Sequence, residues 1–168
     1  MIATDGAHAS VSDAFTITVA NTNDTPPLAN ALADQSATED NAFSFTVPAN
    51  AFADVDAGGT LSYSGTKADG TALPAWLTFT VATQTFSGTP TNSDVGSFDI
   101  HVNATDGANA SVSDAFMITV ANVNDTPTLV NALADQSATE DSAFSFTVPA
   151  NAFADADAIP IETPRSRE

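Results

Sequence analysis

Apolar residues in this chain recur mainly at every second position. Phe43, Phe45 and Val47 alternate with Ser44 and Thr46, and Leu61 and Tyr63 flank Ser62. Phe98, Ile100 and Val102 alternate with Asp99 and His101, and Phe116, Ile118 and Val120 alternate with Met117 and Thr119. A period of two puts the apolar side chains on one face of an extended strand, whereas a helix needs a period near 3.6. Trp76, Leu77 and Phe79 make a denser apolar patch after Pro74, and Trp76 is expected in the core. Turn signals rich in Gly, Asp and Pro separate the runs at 57–59, 68–70, 88–90, 94–96 and 105–107. About seven short strands in ~100 residues predict an all-β antiparallel sandwich. Strands with a single apolar face need a second sheet to cover it.

The pattern repeats. Ala3–Ala57 aligns with Ala104–Ala158 at an offset of 101, with seven mismatches over 55 positions. That period is too long for a solenoid unit and suits a whole sandwich domain. The frame divides the chain into four parts. Residues 1–24 read as the C-terminal part of a preceding repeat, and 25–125 as one complete domain. Residues 126–158 read as the N-terminal part of a following repeat, and 159–168 as a non-repeat tail. This cut implies a segment of a longer tandem array. It also predicts one stable core near 25–125, with flanks whose apolar alternations (Phe15-Thr-Ile17-Thr-Val19 and Phe144-Ser-Phe146-Thr-Val148) lack partners.

Composition narrows the function. Twenty-one acidic residues face three Lys+Arg, for a net charge of −18, and Arg165 and Arg167 supply two of those cations. Such a balance excludes a nucleic-acid footprint and disfavours anionic lipid surfaces. No run is long and apolar enough for a spanning helix, so no direct membrane insertion is expected. The absence of cysteine removes disulfides, zinc-thiolate sites and thiol catalysis. His8 and His101 are the only histidines, and His101 falls on the polar face of its strand, so no nucleophile–base pair is suggested. The chain is expected not to be an enzyme.

Four acidic motifs recur at domain edges. The linker reads Asn21-Thr22-Asn23-Asp24 and again Asn122-Val123-Asn124-Asp125. An Asp-x-Asp pair stands at Asp54 and Asp56 and again at Asp155 and Asp157. Ala-Thr-Asp-Gly carries Asp5 and Asp106, and Ala-Thr-Glu-Asp carries Glu39 and Glu140. Calcium takes six to eight hard oxygen ligands, and carboxylates, amide carbonyls and alternate positions of an extended segment can supply them. Each motif alone is also ordinary turn or linker chemistry. An EF-hand is excluded, because Gly65 stands where its closing Glu belongs.

Taken together, the motifs resemble the cadherin-like superfamily. More narrowly, the unit resembles the dystroglycan-type cadherin-like, Ig-like tandem repeats of bacterial surface proteins. The strings that carry the likeness stand at 31–40, 43–48, 73–77 and 86–90, and it extends over residues 1–158. It implies Ca²⁺ at the junctions between domains. The upper junction would use Asn21, Asn23 and Asp24 with Asp54, Asp56 and Asp106. The lower junction would use Glu39 with Asn122, Asn124, Asp125, Asp155 and Asp157. The sequence departs from the cadherin pattern in three ways. Asn21 and Asn122 replace the linker's first Asp. The Asp-Arg-Glu motif has only Asn92-Ser93-Asp94 as its nearest segment. Each junction also lacks one motif, the Glu at the upper and the Ala-x-Asp-Gly at the lower. One or two weakly held ions per junction are expected.

The implied function is a calcium-binding spacer of a repetitive cell-surface or secreted protein, adhesins included, located outside the cell. Its implied partners are neighbouring repeats of the same protein, with a cell-surface protein or carbohydrate as a further partner class. The alternatives are a carbohydrate- or protein-binding module, or a metal-free acidic spacer accessory to an extracellular hydrolase.

Overall fold

In chain order the strands are β1 (Ile2–Thr4), β2 (Ser10–Ser12), β3 (Gln35–Thr38), β4 (Phe43–Thr46), β5 (Ser62–Lys67), β6 (Leu77–Thr80), β7 (Thr85–Gly88), β8 (Gly96–Thr105), β9 (Ser111–Ala121), β10 (Thr128–Leu129) and β11 (Phe153–Ala154). The computed structural model describes residues 1–56 and 58–157; the expected tail at 159–168 lies outside the described residues.

Strands β3 to β9 build the central domain as two sheets. One has the order β3-β9-β8-β5 and the other β4-β7-β6. Strands β8 and β9 form its longest hairpin, in register from Gly96↔Val120 to Thr105↔Ser111. Strand β3 closes the first sheet by pairing parallel to β9, from Gln35↔Ile118 to Thr38↔Ala121. The strands twist a period-two pattern inward: Ile100, Val102 and Ala104 of β8 and Phe116, Ile118 and Val120 of β9 are all buried. From the opposite sheet come Phe43, Leu77 and Phe86.

Aromatic rings hold the two sheets together. Across the sheets Phe45 lies 5.1 Å and Phe86 5.6 Å from Phe116, and within one sheet Phe79 lies 4.5 Å from Phe86. Trp76 packs edge-on between Phe43 and Phe98, so it belongs to this core. The fold is therefore an all-β sandwich. Its edge turns are set by side chains as well. The 3₁₀ turn at Asn92–Asp94 is held by a capping box between Thr91 and Asp94.

The flanks repeat the local structure of the domain without its packing. β1 and β2 pair in the register Ile2↔Ser12, the copy of the Asn103↔Ser113 pair 101 residues on. Leu129 faces Phe153 as Leu28 faces Phe52. However, Phe15, Ile17 and Val19 are 70%, 75% and 86% exposed, while their copies Phe116, Ile118 and Val120 are at most 3% exposed. Residues 13–27 form no extended ladder, and Phe144, Phe146 and Val148 are exposed as well. Backbone hydrogen bonds open to water give little local stability. Limited proteolysis of a dilute solution should therefore trim both flanks first and leave a fragment near 25–125. Equal protection of 1–24, 126–157 and the centre would contradict this division.

Candidate metal centre

Both junctions are built by the same network. At the upper one, the Asn21 amide donates to Asp56 at 2.8 Å and the Asp24 backbone N–H donates to the other oxygen of Asp56 at 3.0 Å. At the lower one, Asn122 donates to Asp157 at 2.9 Å and the Asp125 N–H donates to Asp157 at 2.7 Å. The first Asp of each pair caps the second: the Asp56 N–H donates to Asp54, and the Asp157 N–H donates to Asp155. An Asx-type bond of this kind bends the chain so that both carboxylates stay at the linker. Asp54 is held close beneath the turn that follows. A Cβ added to Gly59 would come within 2.1 Å of its carboxylate.

The following domain's turn enters at the upper junction. Asp106 takes N–H bonds from Ala108 and Ala110 on one oxygen and the Asn23 amide on the other, at 2.9 Å. The Asn23 bond, helped by the turn's N–H bonds, outweighs the desolvation that would raise it and holds this carboxyl below the ordinary aspartate value. At the lower junction, among the described residues, Asn124 meets no such carboxylate and keeps only its bond to the Asp125 carbonyl, the counterpart of the Asn23 bond to the Asp24 carbonyl. Asp157 is likewise held below the ordinary value, first by the Asp125 N–H and then by Asn122, with a smaller contribution from Asn92.

Glu39 enters the lower junction from the end of β3. Its backbone N–H bonds the Ala121 carbonyl, continuing the parallel pairing with β9, and its side chain then turns under the linker. One carboxylate oxygen accepts the Val123 N–H. The other, Oε2, is buried without a hydrogen-bond partner among the described residues, and the residue is 0% exposed. Carboxylate oxygens of Glu39, Asp125 and Asp157 lie within 4.8 Å of one another, the one such cluster among the described residues. A buried carboxylate oxygen with neither donor nor cation is costly, and two neighbouring acids raise the cost. Among the described residues the one ion pair joins Lys67 to Asp69, so no cation there balances these oxygens.

The structure thus brings Asn21, Asn23, Asp24, Asp54, Asp56 and Asp106 together at one junction, and Glu39, Asn122, Asp125, Asp155 and Asp157 at the other. Asn124 lies beside the second network without bonding its carboxylates. Asn92 was missed as a member: from the 3₁₀ turn it donates to Asp157 at 3.3 Å. Its one sequence signal was its position in the segment nearest to the absent Asp-Arg-Glu motif.

An Ig-like sandwich with acid-rich linkers at both ends is the cadherin-like class of tandem domain. Residues 25–121 match the family model described as Putative Ig domain, and the chain belongs to that family. Two solved protocadherin structures agree on the fold. Protocadherin gamma B7 extracellular cadherin domains 1–4 match over 83% of this chain, with 25% identity and a TM-score of 0.55. Protocadherin gamma B2 extracellular cadherin domains 1–5 match over 82%, with 17% identity and a TM-score of 0.57. An endo-fucoidan hydrolase from glycoside hydrolase family 107 matches over 58%, with 25% identity and a TM-score of 0.48. The chain spans 34%, 27% and 14% of those three chains, respectively. No curated protein matches the sequence. Among the described residues, no helix is long and apolar enough to cross a membrane.

Proposed function

We propose that the chain is a calcium-binding structural segment, a spacer in a repetitive cell-surface or secreted protein, in which an ion at each linker stiffens the connection between consecutive sandwiches. The observation that carries this reading is the orphaned Oε2 of buried Glu39 beside Asp125 and Asp157. All donors at the junctions are hard oxygens, with neither imidazole nor thiolate among them, which suits Ca²⁺ better than zinc or copper. The cadherin-like pattern of the linkers supports the same ion. In the metal-free arrangement, amide and backbone N–H groups stand where a cation would, and rotating the Asn122 amide would offer its oxygen to the ion instead. An ion here would cancel repulsion in a chain of net charge −18.

Neighbouring repeats are then the first partners, and the working location is outside the cell, where calcium is millimolar. No catalytic role is proposed. His101 sits within β8 opposite Ala115 and Thr66, and His8 occupies the tight β1–β2 turn, so neither joins the acidic networks.

A calcium titration tests the reading. Binding only to the folded state stabilises it by about 2.7 kcal/mol at a hundred times Kd. Millimolar calcium should raise the melting temperature more than NaCl of equal ionic strength. Asp54→Asn combined with Asp56→Asn should reduce the response, and adding Asp155→Asn with Asp157→Asn should abolish it. A calcium response equal to that of NaCl in the unaltered chain would favour the metal-free acidic spacer instead.

A further inference from the structure

We infer that the central sandwich bears tension along the chain, and that the parallel contact of residues 32–39 with 114–123, locked by the carboxylates of Asp34, Asp114 and Glu39, is what carries it. The inference goes beyond the spacer reading and requires no ion at the linkers.

The contact is longer than the strand pairing alone. β3 meets β9 over the pairs from Gln35↔Ile118 to Thr38↔Ala121. Two reciprocal side-chain bonds extend it toward the upper linker. The Leu32 N–H donates to Asp114 at 2.6 Å, and the Met117 N–H donates to Asp34 at 2.8 Å. Two more bonds extend it toward the lower linker. The Glu39 N–H donates to the Ala121 carbonyl at 3.1 Å, and the Val123 N–H donates to the Glu39 carboxylate. Burial does little to hold this segment. Of Gln35–Thr38 only Ala37 is buried, so bonds more than apolar packing fix β3 to its sheet. Hydrogen bonds to a carboxylate are stronger than those between neutral groups, so the strongest fasteners flank the backbone ladder at both ends.

The direction of the two segments decides how they meet a load. The chain enters the sandwich through the linker at 21–24, beside Asp106 at the tip of the β8–β9 hairpin. It leaves through 122–125, at the opposite end of β9. Tension between the linkers therefore pulls residues 32–39 toward one end of the domain and 114–123 toward the other. Because the two segments run parallel, this slides one along the other. The bonds between them lie across the slide and share the load, so they must fail together. Had β3 run antiparallel to β9, both linkers would leave from the same end and the pair would open one bond at a time. Ahead of β3, residues 27–30 are held to 50–53 by the Leu28↔Phe52 bridge and its neighbouring bonds, and peeling them frees only a short segment. When the clamp itself fails, the chain between Leu32 and Val123 lengthens by about 300 Å.

Single-molecule pulling in chelator tests this independently of the calcium reading. The chain has no cysteine, so handles can be attached at introduced ones. Thr22→Cys with Thr126→Cys loads the sandwich from linker to linker. Thr22→Cys with Ala108→Cys places both handles at the upper end and peels β3 from β9. At equal force the first chain should survive far longer than the second, and its rupture should release the full length. Asp34→Ala and Asp114→Ala should each shorten the linker-to-linker lifetime about tenfold while changing the peeling lifetime little. Asp34→Asn and Asp114→Asn keep an oxygen acceptor and should recover most of the loss. Asp34 is exposed and Asp114 half-buried, so these variants should fold, which Trp76 fluorescence checks. Equal lifetimes in the two directions overturn the inference, as do linker-to-linker lifetimes that neither alanine variant shortens.

Discussion

Phe116→Ala is expected to destabilise the central domain by about 3–5 kcal/mol, whereas Phe15→Ala should change stability by less than about 0.5 kcal/mol. Both phenylalanines stand in nearly the same sequence, Asp-Ala-Phe-Thr-Ile-Thr-Val against Asp-Ala-Phe-Met-Ile-Thr-Val. Phe116 is 3% exposed and lies against Phe45 and Phe86, where truncation leaves a cavity that the facing sheet can only partly fill. Phe15 is 70% exposed and loses nothing when shortened in a dilute monomer. Domains of this size are stable by only ~5–15 kcal/mol, so the first substitution removes a large share of the total. Urea melts followed by the fluorescence of Trp76, which packs on Phe43 and Phe98, read both outcomes. Equal destabilisation by the two substitutions would mean that the N-terminal flank is packed in solution.

The paired outcome also shows which features the sequence made legible. Alternation of apolar and polar residues identified β4, β5, β8 and β9 of the central sandwich, because each has one wet face and one dry face, and the dense patch after Pro74 marked β6, whereas β3 and β7 were not picked out. It could not distinguish Phe15-Ile17-Val19 from Phe116-Ile118-Val120, since period two records what a strand could bury and not whether a partner is present. The parallel pairing of β3 with β9 was also hidden. Residues Gln35–Thr38 are only four long and mostly polar, and their pairing is set by Asp34 and Asp114 bonding backbone N–H groups across the edge.

Repetition made the candidate site legible. Two copies of four short acidic motifs at domain edges pointed to junctions that single motifs would not have justified. The roles within each junction were less visible. Glu39 and Asp40 are adjacent acids, yet Glu39 is buried and Asp40 is exposed with φ +57°, because the end of a strand sends successive side chains to opposite sides. Asn92 reaches Asp157 from a turn 65 positions away, a closeness that only the fold creates.

Glu39→Gln should then act in opposite directions with and without calcium. In chelator the variant keeps an acceptor for the Val123 N–H and replaces the unpartnered Oε2 with an amide NH₂ facing Asp125 and Asp157. It removes a buried charge from between two others and supplies donors to them, so the metal-free domain should gain about 1–3 kcal/mol. In saturating calcium the unaltered chain should melt higher by ~10 °C or more, since each kcal/mol is worth several degrees in a domain of this size. The variant has lost a charged ligand and should lose most of that rise, so the two melting curves exchange order on adding the ion. A thermal scan of both chains in chelator and in millimolar calcium reads all four values. A variant that is less stable in chelator and retains the full calcium response would show Glu39 to be a structural acid outside the ion's reach. The exchange of order would instead identify the strain of the empty cluster as what the ion relieves, and would make Glu39 the residue through which the state of the linker is felt in the preceding sandwich.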